Sequence, residues 1–166
     1  MPDIRELAAR VQLVIFDVDG VFTDGRLYYG AEGEELKVFH VRDGHGIKSL
    51  LQQGIQVAVI SGRSSAVVSR RMQELGIQHV YQGDDDKRPI LEKLLKKLGL
   101  SADQTACVGD DLVDLPIMQA AGIAIAVADA QPEVRAQADW CTRSRGGDGA
   151  VREVCDLIIE ARNING

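Results

Sequence analysis

Leu13-Val14-Ile15-Phe16-Asp17-Val18-Asp19-Gly20 is the stretch on which the fold turns. Four consecutive apolar residues, with no polar alternation, predict a strand buried on both faces, and the acidic turn that follows marks its carboxyl end. An extended backbone sets residues i and i+2 on one side, so Asp17 and Asp19 aim into the same crevice. Two like charges so close call for a cation. Gly20 lets the chain leave the strand sharply.

Four more short apolar runs repeat the pattern downstream: Val57-Ala58-Val59-Ile60 before Ser61-Gly62, His79-Val80-Tyr81 before Gln82-Gly83, Ala106-Cys107-Val108 before Gly109, and Ile123-Ala124-Ile125-Ala126-Val127. Between them, apolar spacing near i, i+3, i+4 predicts amphipathic helices through Ile47, Leu50 and Leu51, through Val67, Val68, Met72 and Leu75, and through Ile90, Leu91, Leu94, Leu95 and Leu98. Gly54, Gly76 and Gly99 follow these helices as stops, and Ser64 and Ser101 stand as N-caps. Strand and helix in alternation predict an α/β fold, an open parallel-sheet, Rossmann-like sandwich with its crevice at the carboxyl ends of the strands. Residues 21–41 break the alternation. There Arg26-Leu27-Tyr28-Tyr29, a Gly30-Ala31-Glu32-Gly33 turn and Leu36-Lys37-Val38-Phe39 predict a small β-hairpin flap inserted after the first strand.

At 166 residues the chain has the size of a single domain, expected over 1–166 with a C-terminal helix and tail over about 143–166. Aromatic residues are 4% of it, too few for a binder that stacks single-stranded bases. Nineteen Lys and Arg stand against 25 Asp and Glu, and the net charge of −6 opposes nucleic-acid binding. No apolar run approaches the ~18 residues of a membrane span, and Met1 to Glu6 is too charged to open a secretory signal. A soluble, cytoplasmic protein with neither a membrane nor a nucleic-acid partner is the expectation. Cys107, Cys141 and Cys155 form neither a disulfide framework nor a zinc site and are expected as reduced thiols.

The chemistry gathers at strand ends. Gly109-Asp110-Asp111-Leu112-Val113-Asp114 is a second acidic set, and if its strand neighbours the first, the carboxylates converge. Oxygen ligands without His or Cys favour Mg²⁺, which keeps waters and accepts substrate phosphate. Ser61 offers a hydroxyl and Lys87 a cation at the other two ends. Taken singly, Ser61 reads equally well as a helix cap, and Lys87 as the counter-charge to Asp84, Asp85 and Asp86 on a solvated face. His40, His45 and His79 have no metal-ligand spacing.

With these motifs in order, the sequence resembles the haloacid dehalogenase superfamily of phosphohydrolases, whose pattern is an Asp-x-Asp strand end, a Ser/Thr strand end, a Lys, and a Gly-Asp-Asp segment closed by a further Asp. Phe16-Asp17-Val18-Asp19-Gly20-Val21-Phe22-Thr23-Asp24-Gly25, Arg42-Asp43-Gly44-His45-Gly46-Ile47, the Gly109 to Pro116 segment and Gly149-Ala150-Val151-Arg152-Glu153-Val154-Cys155 extend a closer resemblance over nearly the whole chain. They are similar to the 3-deoxy-D-manno-octulosonate 8-phosphate phosphatase family, a capless, homotetrameric branch serving lipopolysaccharide biosynthesis.

The resemblance implies a Mg²⁺-dependent phosphomonoesterase acting on a small sugar phosphate. Asp17 would be the nucleophile that becomes an aspartyl-phosphate, and Asp19 the proton shuttle. Asp17, the Asp19 carbonyl and Asp110 would bind the metal. Ser61 and Lys87 would hold phosphoryl oxygens, with Asp111 orienting Lys87 and Asp114 supporting the loop. Arg42, Arg63 and Arg71 are candidates for the sugar's carboxylate or the phosphate. The flap would join neighbouring subunits, and the glycine-rich Arg145 to Gly149 segment would bend toward a neighbouring site as a gate. Two other readings stay open: a phosphatase of a nine-carbon ketoacid 9-phosphate, and a non-catalytic oligomerisation module with a phosphatase-like fold.

Overall fold

In the computed structural model, residues 3–33 and 35–165 are described. The chain runs through α1 (Ile4–Ala9), β1 (Leu13–Phe16), β2 (Tyr28–Tyr29), β3 (Glu35–Leu36), α2 (Val41–Gln52), β4 (Gln56–Ser61), α3 (Ala66–Leu75), β5 (His79–Gln82), α4 (Lys87–Leu98), β6 (Thr105–Gly109), α5 (Leu115–Ala120), β7 (Ile123–Ala126), α6 (Pro132–Gln137), β8 (Trp140–Cys141) and α7 (Ala150–Asn165). Six strands form one sheet in the order β5-β4-β1-β6-β7-β8. All of its pairings are parallel.

All four residues of β1 are buried, which requires cover on both faces of the sheet. The helices supply it in two packed groups, α1 and α2 against α7, and α5 against α4 and α6. The core between them is mostly aliphatic, with Leu13, Ile15, Ile47, Leu50, Ile60, Leu94 and Ile117 joining Phe16 and Phe22 among the largest fully buried side chains. Phe22, just beyond the acidic turn, packs edge-on against Phe16 with ring centroids 5.3 Å apart. The turn is thereby anchored to the strand it follows.

The strand order places the site. From β1 the chain moves outward to β4 and β5, then returns to the other flank of β1 for β6 and continues to β7 and β8. Connections on opposite flanks of β1 open a crevice at its carboxyl end. The register aligns Phe16 with both Val59 and Val108, so Asp17 and the residues after Gly109 emerge side by side.

Two features differ from the sequence expectations, the helix caps and one extra strand. Ser65, not Ser64, caps α3 by accepting from the Val68 amide, and Ser101 caps a single 3₁₀ turn at Ala102–Gln104 rather than an α-helix. The strand β8 was not foreseen, because two half-buried residues are too few to carry a periodic signal. The Arg145 to Gly149 segment is docked: Gly146 donates to Asp129 and Gly147 to the Val21 carbonyl, and the chain then enters α7, whose Val151, Val154, Cys155 and Ile158 are fully buried. Within one chain the segment is a strap across the base of the flap.

The antiparallel pair β2 and β3 forms a separate two-stranded ribbon in the predicted flap region. Its apolar side chains are exposed, Leu36 at 71% and Tyr29 at 61%.

Candidate active site

Asp17 leaves the end of β1 with its amide bonded to the Val108 carbonyl of β6 (3.1 Å), which holds it against the second acidic loop. Its Oδ1 accepts from the Val18 amide at 2.7 Å. After Asp19 the chain reverses at Gly20, whose φ of +87° lies in the left-handed region. A Cβ there would overlap the Asp110 carboxylate, so glycine serves both the turn and the close approach of the two acidic loops.

Asp17, Asp110 and Asp114 each offer a carboxylate oxygen within 4.8 Å of the others. Lys87, at the start of α4, reaches into this group and is 2% exposed. Its Nζ lies 2.7 Å from Asp114 Oδ1 and 3.2 Å from Asp17 Oδ1. Burial lowers the affinity of that amine for its proton, but the two carboxylates outweigh it and hold the ammonium above its ordinary value.

Asp114 does more than support the loop. Its Oδ1 takes Lys87, while its Oδ2 accepts from the amides of Asp110 (3.0 Å) and Asp111 (3.3 Å). Asp111 was expected to orient Lys87. Its side chain instead turns back to the Leu112 amide at 2.7 Å and caps the 3₁₀ turn Leu112–Asp114, so the orienting carboxylate is Asp114.

The acids on either side are under electrostatic pressure. Burial, then the nearby Asp114 charge, pushes the Asp17 carboxyl up to about 7, with Lys87 pulling the other way. Burial and the charges of Asp114 and Asp17 push Asp110 up to about 8. Asp110 Oδ1 is buried without a hydrogen-bond partner. Since both oxygens of Asp114 are engaged, Asp17 and Asp110 remain as side chains able to take a cation. A hard divalent ion fits: the donors are oxygens, one buried lone pair is unclaimed, and added positive charge would relieve the crowding.

A cavity of about 250 Å³ opens above these groups, lined by Asp17, Asp19, Ser61, Arg63, Lys87 and Asp110 and also by Asp85 and Asp111. Ser61 is 3% exposed at the end of β4. Asp19 faces Lys37 Nζ at 2.6 Å and Arg63 Nε at 3.8 Å. Arg42 and Arg71 lie outside this cavity within one chain. Arg42 lines a separate hollow with His40, Asp148 and Arg152, and Arg71 sits 5.9 Å over the Phe39 ring beside Glu74.

Asp85 is exposed, as a solvated loop predicts, and it also lies against Gly62 and lines the cavity. Lys37 was not foreseen as a site residue at all. Cys107 is fully buried beneath the cluster, where burial raises its thiol far above the reactive range. It has no part in nucleophilic chemistry.

A family model for haloacid dehalogenase-like hydrolases matches residues 77–154. The 3-deoxy-D-manno-octulosonate 8-phosphate phosphatase of Escherichia coli strain K12 is 49% identical over 160 residues, spanning 96% of this chain and 85% of its own. The crystal structure of the phosphatase of that name from Yersinia pestis superposes with a TM-score of 0.95 at 48% identity, covering 96% of this chain and 86% of that one. The Moraxella catarrhalis phosphatase, solved with a magnesium ion, a phosphate ion and a KDO molecule, gives 0.94 at 48% identity, over 96% and 92% of the two chains.

Proposed function

Because this chain belongs to the 3-deoxy-D-manno-octulosonate 8-phosphate phosphatase family of haloacid dehalogenase-like hydrolases, we propose that it hydrolyses that ester to the free eight-carbon sugar acid and inorganic phosphate. The observation that carries the reading is the convergence of Asp17, Asp110 and the buried Lys87 at one strand-end cavity. The relatives carry the identity of the sugar.

Asp17 is the nucleophile. Its free carboxylate oxygen attacks phosphorus, the bond from phosphorus to the sugar oxygen breaks, and the Asp19 carboxyl passes its proton to that departing oxygen. A primary alkoxide is a poor leaving group, so the proton matters most at this step. The Asp19 carboxylate then takes a proton from water, whose oxygen attacks the aspartyl-phosphate. The bond from phosphorus to Asp17 breaks, inorganic phosphate leaves, and both carboxyls are restored.

Lys87 and Ser61 hold the phosphoryl oxygens, where charge is spread in the transition state. Asp114 keeps Lys87 aimed and charged. Arg63, at the cavity mouth, is suited to pair with the substrate's carboxylate. Asp17, the Asp19 carbonyl and Asp110 would hold Mg²⁺, which when bound neutralises charge that would otherwise repel a dianionic phosphate.

The experiment is phosphate release from a panel of sugar phosphates, with Mg²⁺ and with a chelator. The eight-carbon 8-phosphate should be turned over best, and the chelator should abolish turnover. Persistence in chelator would overturn the metal's role. A preference for a nine-carbon 9-phosphate would overturn the substrate, and no turnover of any ester would favour a non-catalytic module.

Proton linkage gives an independent check on the metal site. Asp17 and Asp110 keep their protons up to about 7 and about 8 in the folded chain, against 3.8 ordinarily. The folded state therefore binds more protons than the unfolded chain between those values, and metal-free stability should fall as pH rises through that window. Mg²⁺ competes with these protons, so the rise in melting temperature it produces should widen from about pH 5 to about pH 8. A magnesium-induced shift of constant size across that range would contradict the assignment.

We further infer a cytoplasmic homotetramer, joined through the flap. The exposed Tyr29, Leu36, Val38 and Val41 supply an apolar surface there, and no described helix is long and apolar enough to cross a membrane. Light scattering should give four chain masses; a monomer would remove the shared-site reading.

A further inference from the structure

The end of the flap inverts the ordinary pattern of a half-buried strand. Leu36 and Val38 are 71% and 62% exposed, while the side chain of Lys37 between them is 1% exposed. An alternating strand that served only packing would turn one of its apolar sets inward and leave the ammonium in water. Burying a charge is tolerated where a partner meets it, and here the partner is Asp19 Oδ1 at 2.6 Å. The other oxygen of the same carboxylate faces Arg63 Nε at 3.8 Å, and Arg63 Nη2 donates to the Tyr29 hydroxyl at 3.0 Å. Tyr29 pairs with Glu35 across the ribbon, so both strands of the flap are tied to one carboxylate of the reaction site.

We propose that Lys37 is a positioning residue for the reaction: it fixes the Asp19 carboxyl toward the departing sugar oxygen, and through it the flap assembles the proton-donating half of the site. The proposal rests on the phosphatase reading above and adds to it a residue outside the strand-end motifs. The geometry favours this over a direct role on substrate phosphate, because Lys37 meets Asp19 and is absent from the side chains lining the cavity. Lys87 already supplies the cation beside Asp17.

Leaving-group chemistry separates positioning from binding or folding. A primary alkyl phosphate needs its departing oxygen protonated, whereas p-nitrophenyl phosphate releases a stable anion and barely depends on the acid. In Lys37→Met, kcat/KM for the alkyl ester should fall about tenfold or more, while that for the aryl ester should change by less than about threefold. Lys37→Arg should recover part of the loss. In an Asp19→Asn background, Lys37→Met should cost nothing further, since the group it positions is gone.

Equal losses for both esters would overturn the proposal in favour of a binding or structural role, as would a further loss in the Asp19→Asn background or no loss at all. Thermal unfolding of each variant reports whether the fold persists. If Lys37→Met does not fold, Lys37→Gln carries the same comparison. Failure of the native chain on both esters would defeat the phosphatase reading itself, an outcome distinct from an active native enzyme indifferent to Lys37.

Discussion

Asp17→Asn should abolish phosphate release, with a loss of about 10⁴-fold or more in kcat, and should leave the protein folded. The amide is nearly isosteric, keeps an oxygen for the Val18 amide, and cannot form the acyl-phosphate. Burial and the charge of Asp114 make the ionised Asp17 costly in the metal-free chain. The variant should therefore melt above the native metal-free protein near pH 8, while binding Mg²⁺ more weakly. A dead enzyme that is more stable is the signature of charge kept for function at the expense of the fold. Steady-state turnover and thermal unfolding in chelator check the two halves. Turnover above about 1% of native would remove Asp17 as nucleophile.

Lys87→Met should be the most damaging single change to stability around this site. The ammonium bridges Asp17 and Asp114, and without it three carboxylate oxygens stay crowded within 4.8 Å. Breaking a buried pair by removing one partner costs about 3–5 kcal/mol, and that loss is expected near pH 8. It should shrink toward pH 5, because Asp17 and Asp110, pushed up to about 7 and about 8, become neutral there. Mg²⁺ should restore part of the stability but little activity, since phosphoryl oxygens would still lack their cation. Denaturant unfolding at the two pH values is the measurement. Native stability at pH 8 would mean that Lys87 does not hold the cluster together.

Much of this was legible because the signals are local. Leu13 to Phe16 reads as a doubly buried strand from four residues, and the alternation of such runs with helical spacing predicts the parallel sheet. The two acidic turns could be recognised as partners only on condition that their strands were neighbours. The pairing of β1 with β6 meets that condition, and no residue in either strand encodes it alone. Ser61 and Lys87 carried rival readings as a cap and a surface counter-charge; the burial of both is a property of the assembled strand ends.

What stayed hidden depended on side-chain direction in irregular backbone. Asp111 and Asp114 both sit in one acidic segment, and choosing between them as partner to Lys87 requires knowing that the chain makes a 3₁₀ turn there. That turn points Asp114 inward and sends Asp111 back to the Leu112 amide. Arg42, Arg63 and Arg71 were indistinguishable as cations in the sequence, yet within one chain Arg63 alone of the three reaches the cavity. Lys37 carries no distinguishing signal within the predicted hairpin, and its burial against Asp19 depends on how the flap lies over the site.

Fold class and chemical inventory are legible along the chain, because periodicity and strand-end motifs are written within a few consecutive residues. The tertiary structure decided which charges meet. The positions of Lys87, Asp114, Lys37 and Asp19 relative to one another follow from strand order and loop direction, and in a buried, low-dielectric cluster a displacement of a few ångströms separates a catalytic pair from a surface salt bridge.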